Sequence, residues 1–323
     1  MLEAPNATEY PDKDDLDEFP TEIRSYLLSW HLVFQSFATA SEKVRNDYTV
    51  SLKTERLLDH LLMFIAGTLG HIDGGALDLD HAKITESMRT TYSISEATTL
   101  PNLQNMQWLL ANLYYLALLY TPMLVKNWYT NVKSRAIQQQ YSSWTQKFFT
   151  DLIVSAAIID VQKWADGQEI TPDEQELIVK CSAKTKDIFA SYEIDDMTMS
   201  LSIHLPESYP LTPVSVSSIN RVGISEQKWK SFMITTQAVI SFSNGSIPEG
   251  LSTLRRNIIG ALKGHTECAI CYSIISSDKK TPDKKCSTCS NLFHSKCLYT
   301  WFQSSNQSTC PLCRNPFNYA SRS

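Results

Sequence analysis

The sequence has no excess of positive charge. Its 323 residues include 29 lysines and arginines against 34 aspartates and glutamates, for a formal net charge of -5. Proteins that bind nucleic acid through its phosphate backbone usually carry a basic domain or stripe. We therefore expect no direct, sequence-specific contact with nucleic acid.

The start of the sequence also lacks the basic and then apolar pattern of a secretory signal. Residues 1–20 are acidic instead, with seven aspartates and glutamates against the single Lys13. This composition predicts a flexible acidic arm. We expect the protein to be cytoplasmic, in the cytosol, or nuclear.

Cysteine is scarce outside one segment, because seven of the eight cysteines lie between Cys268 and Cys313. Without an export signal, such clustering indicates metal binding before disulfides. The eighth, Cys181, stands in an alternating apolar segment, where we expect a buried and inert thiol.

Strand patterns are nearly absent from residues 21–167. Apolar residues recur there at three- and four-residue steps, as in Ile23, Leu27 and Trp30, which is the period of an amphipathic helix. Successive helices of this kind, joined by short polar connectors, predict an α-solenoid or a helical bundle. The chain should therefore be multidomain and mainly α.

One segment of this region lacks charge altogether, from Ala97 to Val125. It permits two interpretations, a membrane span or a helix buried among other helices. Gln107, Asn112 and Pro122 interrupt its apolar run. We favour the buried helix and expect no membrane partner.

After Gly167 the apolar period changes from 3.6 to 2. Ile188, Ala190 and Tyr192 alternate with more polar neighbours, and similar runs on either side predict an antiparallel meander. Ser225 then provides the cap of a following helix. These signals predict an α+β domain over residues 168–263.

The last segment carries eight potential zinc ligands in four pairs. They are Cys268 and Cys271, Cys286 and Cys289, His294 and Cys297, and Cys310 and Cys313. A structural zinc takes four sulfur or imidazole ligands, so eight ligands fill two closed tetrahedral sites. We expect two structural Zn²⁺ ions and no metal-based catalysis.

Two zinc modules share this order of four cysteines, one histidine and three cysteines: the PHD finger and variants of the RING finger. A PHD finger typically has an aromatic residue two positions before its seventh ligand, where this sequence has Ser308. Instead, Trp301 follows the sixth ligand by four residues, and Pro311 and Leu312 lie inside the last pair. Both features resemble the RING finger, which we assign to residues 264–323.

The RING resemblance implies an interleaved cross-brace. The first zinc would take Cys268, Cys271, His294 and Cys297, and the second Cys286, Cys289, Cys310 and Cys313. The brace would place Ile270, Pro311 and Leu312 on either side of the helix that carries Trp301. In RING ligases the resulting apolar groove binds a ubiquitin-conjugating enzyme.

Arg314 follows the last ligand, where RING ligases often have a cation that contacts both the conjugating enzyme and ubiquitin. The resemblance therefore gives Arg314 a role in orienting transfer, for which its planar guanidinium is suited. The alternative is that Ile270 and Trp301 are core residues and Arg314 is a solvated charge. Because Cys181, the one cysteine outside the ligand set, is expected to be inert, transfer should pass directly to a substrate lysine.

The middle region and the order of the domains extend the resemblance. The Tyr209-Pro210 turn is similar to that of RWD domains, relatives of the conjugating-enzyme fold, although residues 182–267 contain no catalytic cysteine. With the stretches 122–128, 267–274 and 293–302, the sequence resembles the C-terminal part of the listerin family of E3 ubiquitin ligases.

That resemblance implies a HEAT-like solenoid before the RWD-like domain and the RING. It also implies contact with the large ribosomal subunit and with nascent-chain quality-control factors, and ubiquitination of nascent chains on stalled subunits. The alternative class is a non-enzymatic zinc-finger adaptor or a PHD-like module that reads histones.

Overall fold

A computed structural model describes residues 21–317, except residues 73–74, 96–101, 169–175, 195–196, 244, 265, 275 and 279, and the side chains of Glu42, Ile194 and Met197. The acidic arm expected over residues 1–20 lies outside the described residues. The chain forms two compact units, one of Met1–Ala156 with Pro206–Pro213 and one of Ala157–Leu205 with Val214–Ser323. The division into residues 1–20, 21–167, 168–263 and 264–323 stays a prediction.

The first unit is helical, as its 3.6-residue period predicts. Its helices are α1 (Thr21–Thr39), α2 (Glu42–Thr54), α3 (Leu57–Thr68), α4 (Glu86–Thr90), α5 (Leu103–Tyr120), α6 (Pro122–Asn131), α7 (Arg135–Phe148) and the start of α8 (Thr150–Asp166). Asn102 caps α5 by accepting a hydrogen bond from the Asn105 N–H at 2.8 Å. Pro122 opens α6, where its missing N–H costs no helical hydrogen bond.

Aromatic side chains fill the centre of this unit. The ring of Tyr114 on α5 lies 5.3 Å from that of Tyr141, 5.3 Å from that of Trp144 and 5.1 Å from that of Phe149. Its hydroxyl is 2.6 Å from the hydroxyl of Thr145, so the phenol is buried with its polar end satisfied.

The described part of the uncharged segment, residues 102–125, belongs to this core. α5 packs against α1, α3, α4 and α6, and its buried side chains are Asn105, Met106, Leu109, Leu110, Ala111, Asn112, Leu113, Tyr114, Tyr115, Ala117 and Leu118. No single described helix is long and apolar enough to span a membrane. α5 and α6 meet that test only as a pair, and they are bent by 107°.

The second unit contains the predicted meander. Its strands β1 (Leu177–Ser182), β2 (Asp187–Ile194), β3 (Met197–His204) and β4 (Ser215–Asn220) form an antiparallel sheet in the order β1-β2-β3-β4. Buried residues pair across β2 and β3, with Ile188 opposite Ile203 and Ala190 opposite Leu201. The helix α9 (Glu226–Phe242) packs against β4 and against α10 (Ile247–Leu262).

The zinc-ligand segment follows α10 in the same unit. It contains a short hairpin of β5 (Lys284–Lys285) and β6 (Leu292–Phe293), then the helix α11 (Ser295–Ser305). Among the described residues, its buried apolar side chains other than cysteine are few, namely Ile274, Phe293, Leu298 and Phe317. So small a core indicates that other bonds hold the module together.

Candidate metal centre and adjoining groove

The eight predicted ligands come together in two groups of four. The first cluster contains Cys268, Cys271, His294 and Cys297, and the second contains Cys286, Cys289, Cys310 and Cys313. Within each cluster all ligand atoms lie within 4.8 Å of one another. The pairs interleave along the chain in the cross-brace order that the RING resemblance implies.

The spacing of the ligand atoms fits zinc. Sulfurs about 2.3 Å from a tetrahedral zinc lie about 3.8 Å apart. In the second cluster, the Cys286 and Cys313 sulfurs are 3.7 Å apart, and so are those of Cys289 and Cys310. A disulfide would need a separation of about 2.05 Å. The two clusters therefore fit two zinc ions, which confirms the predicted cofactor.

Backbone groups orient the ligands of the first cluster. His294 directs Nδ1 at the sulfurs, 3.3 Å from that of Cys271, and its Nε2 lies 3.2 Å from the carbonyl oxygen of Ile274. That second contact fixes the imidazole as an Nδ1 ligand. The backbone N–H of His294 also donates to the Cys268 sulfur at 3.3 Å, which favours the thiolate form of Cys268.

The clusters are closed rather than catalytic. Cys268, Cys286, Cys310 and His294 are each at most 1% exposed. In the second cluster, hydrogen bonds from the side chain and backbone of Asn291 lower the pKa of the Cys289 thiol to about 6, which favours the ligating thiolate. Four protein ligands per site leave no position at which a metal would activate water or substrate.

A groove of about 370 Å³ lies beside the first cluster. Ile270, from the loop inside the first Cys pair, and Trp301, from α11, both line it. The Trp301 indole N–H donates to the carbonyl oxygen of Thr309 at 3.0 Å, and this bond holds the ring at the edge of the groove. The structure thus brings together two of the four residues predicted for enzyme docking.

The other two predicted docking residues do not line this groove. Pro311 is half-buried, whereas Leu312 is 49% exposed. Arg314 is exposed and has a left-handed backbone with a φ of 62°. Its guanidinium carbon lies 5.5 Å from the centroid of the Trp301 ring, a cation-π contact that links it to the wall of the groove.

The sequence did not predict the opposite wall. Ile234, Thr235 and Ala238 of α9 line the same groove, although they precede Cys268 by 30 residues or more in sequence. Ile234 lies outside the buried stripe of α9 and is 57% exposed. An isoleucine out of phase with the buried face of its helix was the only signal in the sequence.

The isolated Cys181 is partly buried in β1. Burial raises the pKa of its thiol above the ordinary value, so the neutral form predominates at neutral pH. A neutral thiol is a poor nucleophile, in keeping with the expected inert role.

Family models match three stretches of the chain. Residues 1–162 match the LTN1 family HEAT repeat region, and residues 177–259 match the ubiquitin conjugating domain-like family. Residues 266–314 match the Ring finger domain. The first match alone covers half of the chain. The chain belongs to the listerin family.

Several proteins named listerin align with almost the whole chain. The E3 ubiquitin-protein ligase listerin of Neurospora crassa is 48% identical over 98% of this chain, and that of Saccharomyces cerevisiae is 34% identical over 90%. The listerin of Mus musculus is 32% identical over 91%. These alignments cover 20%, 18% and 16% of the relatives' own lengths, so the chain spans about a fifth of a listerin.

The matches confirm the predicted order of a HEAT-like helical region, an α+β domain related to the conjugating-enzyme fold, and a RING. They cover the three regions separately, in agreement with the change of apolar period after Gly167 and with the ligand string that begins at Cys268.

Proposed function

We propose that this listerin-family chain acts as a RING-type E3 ubiquitin ligase. It docks a ubiquitin-charged conjugating enzyme and directs transfer of ubiquitin to substrate lysines. The observation that carries this proposal is the pair of closed zinc-ligand clusters beside a groove lined by Ile270 and Trp301. Closed zinc sites stabilise the fold of the module and do not catalyse a reaction themselves. A groove with an aromatic residue at its edge suits a protein partner.

Transfer is direct, because the chain has no thiol suited to carrying ubiquitin. Seven of its cysteines lie in the clusters, and burial raises the pKa of the remaining Cys181. Its own residues therefore act by positioning the charged enzyme and excluding unproductive orientations, which is catalysis by proximity. The guanidinium of Arg314 lies over the Trp301 ring, and its planar fork of N–H donors suits acceptors on both the enzyme and ubiquitin.

A single-turnover assay tests this proposal. Each member of a panel of ubiquitin-charged conjugating enzymes is mixed with free lysine, with and without the purified chain, and loss of the thioester is followed on gels. We expect the chain to accelerate discharge of at least one enzyme. An adaptor that uses zinc only for folding would accelerate none.

We also propose that the substrates are nascent chains on stalled large ribosomal subunits in the cytosol, where quality-control factors would be further partners. The family resemblance supports this. An exposed apolar pair is consistent with a contact surface, since Ile178 and Phe189 are 37% and 41% exposed on one face of the sheet.

Co-sedimentation with purified large subunits tests the ribosome proposal. The chain should pellet with the subunits, and Phe189→Asp should reduce the pelleted fraction without changing lysine discharge. A chain that stays in the supernatant, or a Phe189→Asp variant that pellets like the wild type, would contradict this use of the sheet.

A further inference from the structure

The groove beside the first cluster has two walls from different parts of the chain. Ile270 and Trp301 form one wall, and Ile234, Thr235 and Ala238 of α9 form the other. The second wall belongs to the ubiquitin conjugating domain-like match at residues 177–259, outside the RING. Any protein seated on Trp301 in this cavity therefore also meets α9.

Hydrogen bonds fix α9 against the zinc module. The Ser231 hydroxyl donates to the carbonyl oxygen of Cys271 and lies 2.7 Å from the buried Ser273 hydroxyl. The Thr235 hydroxyl is 3.1 Å from the same Ser273 hydroxyl. Lys228 adds an ion pair with Glu267 at 2.9 Å. The bond from Ser231 ends on the backbone carbonyl of the predicted ligand Cys271, so α9 contacts the loop that carries the first Cys pair.

The next helix strengthens this attachment. Asn257 of α10 is fully buried, and its side-chain oxygen accepts the Ile274 N–H at 3.1 Å. The carbonyl of the same Ile274 meets Nε2 of the ligand His294. Both helices are therefore hydrogen-bonded to the zinc module, and the second wall of the groove is built against it.

Ile234 is the apolar side chain that this fixed wall exposes. It is 57% exposed, whereas Phe232 and Thr236 on the buried face of α9 are 0% exposed. Covering an exposed isoleucine removes apolar surface from water and is favourable. Its position in the groove, continuous with the proposed docking surface, identifies the conjugating enzyme as the partner that covers it.

We propose that α9 is the second wall of the docking surface for the conjugating enzyme, with Ile234 contacting an apolar side chain of that enzyme. This inference rests on the proposed ligase function and adds a specificity element to it. Enzymes that present an apolar residue at this position are favoured, and those that present a charged residue are rejected because the charge would lose its hydration.

The test measures binding of the uncharged conjugating enzyme that the chain discharges fastest. By titration calorimetry, Ile234→Asp should weaken binding about tenfold, as expected when a charge replaces an apolar interface contact. Ile219→Asp is the matched control, because Ile219 is 56% exposed in β4 of the same unit and does not line the groove. Both variants should retain two zinc ions and the wild-type melting temperature.

A photo-crosslinking residue at position 234 gives a second readout that does not depend on affinity. It should capture the conjugating enzyme, whereas the same residue at position 219 should not. Capture at neither position, or equally at both, would overturn the second wall.

Trp301→Ala distinguishes the proposed function, in which the enzyme docks on the RING wall, from the inference that α9 also contacts it. If it weakens binding and Ile234→Asp does not, docking uses the RING wall alone, so the inference fails and the proposed function stands. If neither variant weakens binding, the enzyme does not use this groove, and the docking site of the proposed function fails as well. An equal loss with Ile219→Asp would also overturn the inference.

Discussion

The helical unit and the zinc module are stabilised in different ways. In the helical unit many large side chains are completely buried, including Trp30, Phe34 and Tyr114 at 0% exposure. Among its described residues, the zinc module has only Ile274, Phe293, Leu298 and Phe317 as buried apolar side chains besides its cysteines. Stability in the first is spread over many contacts, whereas in the second it is concentrated in eight ligand atoms.

Loss of one zinc ligand should give the largest effect. Cys286→Ser removes a thiolate from the second cluster, and a structural zinc contributes on the order of 10 kcal/mol to the folding of a small module. We expect the zinc module to unfold and at least one zinc ion to be lost. Elemental analysis and circular dichroism together should show lower zinc content with nearly unchanged helicity.

Cys181→Ser makes the same atomic change in β1, outside both clusters. It should retain two zinc ions. If Cys286→Ser also retained two, the cross-brace would be wrong. If it unfolded the helical unit, the two regions would not be independent.

The ligands were the most predictable part of the molecule because their chemistry is local. A Cys-x2-Cys turn places two sulfurs on one ion whatever surrounds it, so spacing alone predicted two closed sites. The 3.6-residue period predicted the helices in the same way, since each helix must bury one face.

The second wall of the groove was not predictable in this way. It depends on which distant segments meet, as when Ile234 of α9 and Trp301 of α11 line one groove. Residues 206–213, which lie within the predicted α+β domain of residues 168–263, belong to the helical unit, where Leu211 joins the core. An isolated turn carries no periodic signal that would indicate this packing.

In the helical unit, removal of one core ring should lower the free energy of unfolding of that unit without affecting the zinc module. Phe34→Ala leaves a cavity beside Trp30, whose ring is 5.8 Å away, and such changes cost about 3–5 kcal/mol. Urea unfolding followed by helical circular dichroism measures the loss. Leu32→Ala, on the same helix but 55% exposed, should have little effect. Zinc loss in Phe34→Ala would mean that the helical unit and the zinc module are not stabilised independently.

Acid should weaken the helical unit through His71. This residue is 0% exposed, with its ring 4.5 Å from that of Tyr141, and burial lowers its pKa to about 4. The unfolded chain, with an ordinary histidine pKa near 6.5, binds more protons between these values. The free energy of unfolding should therefore fall by up to about 3 kcal/mol as pH drops from 6.5 through 4.

Urea unfolding at several pH values tests the role of His71. His71→Gln should flatten the dependence in that window, whereas His81→Gln, which changes a side chain that is 94% exposed, should leave it as in the wild type. The same slope in His71→Gln would mean that other groups cause the acid sensitivity.

Trp301→Ala should change docking more than folding. If Trp301 is a central anchor, its loss weakens binding of the conjugating enzyme by about 2 kcal/mol, with two zinc ions retained. Tyr299→Ala is the control, since Tyr299 is 61% exposed on the same helix and does not line the groove. Loss of zinc in Trp301→Ala would mean that the indole is a core residue.

Arg314→Ala should have the smallest effect on folding and docking, and it tests the proposed ligase mechanism most directly. Discharge of a ubiquitin-charged conjugating enzyme to lysine is measured in a single turnover, at concentrations of chain that saturate docking. The wild-type chain should accelerate discharge. Arg314→Ala should bind the enzyme nearly as tightly but discharge it more slowly, because the contact acts mainly in the transition state. Equal rates for the wild type and Arg314→Ala would contradict the orienting role, and no acceleration by the wild type would contradict the ligase proposal.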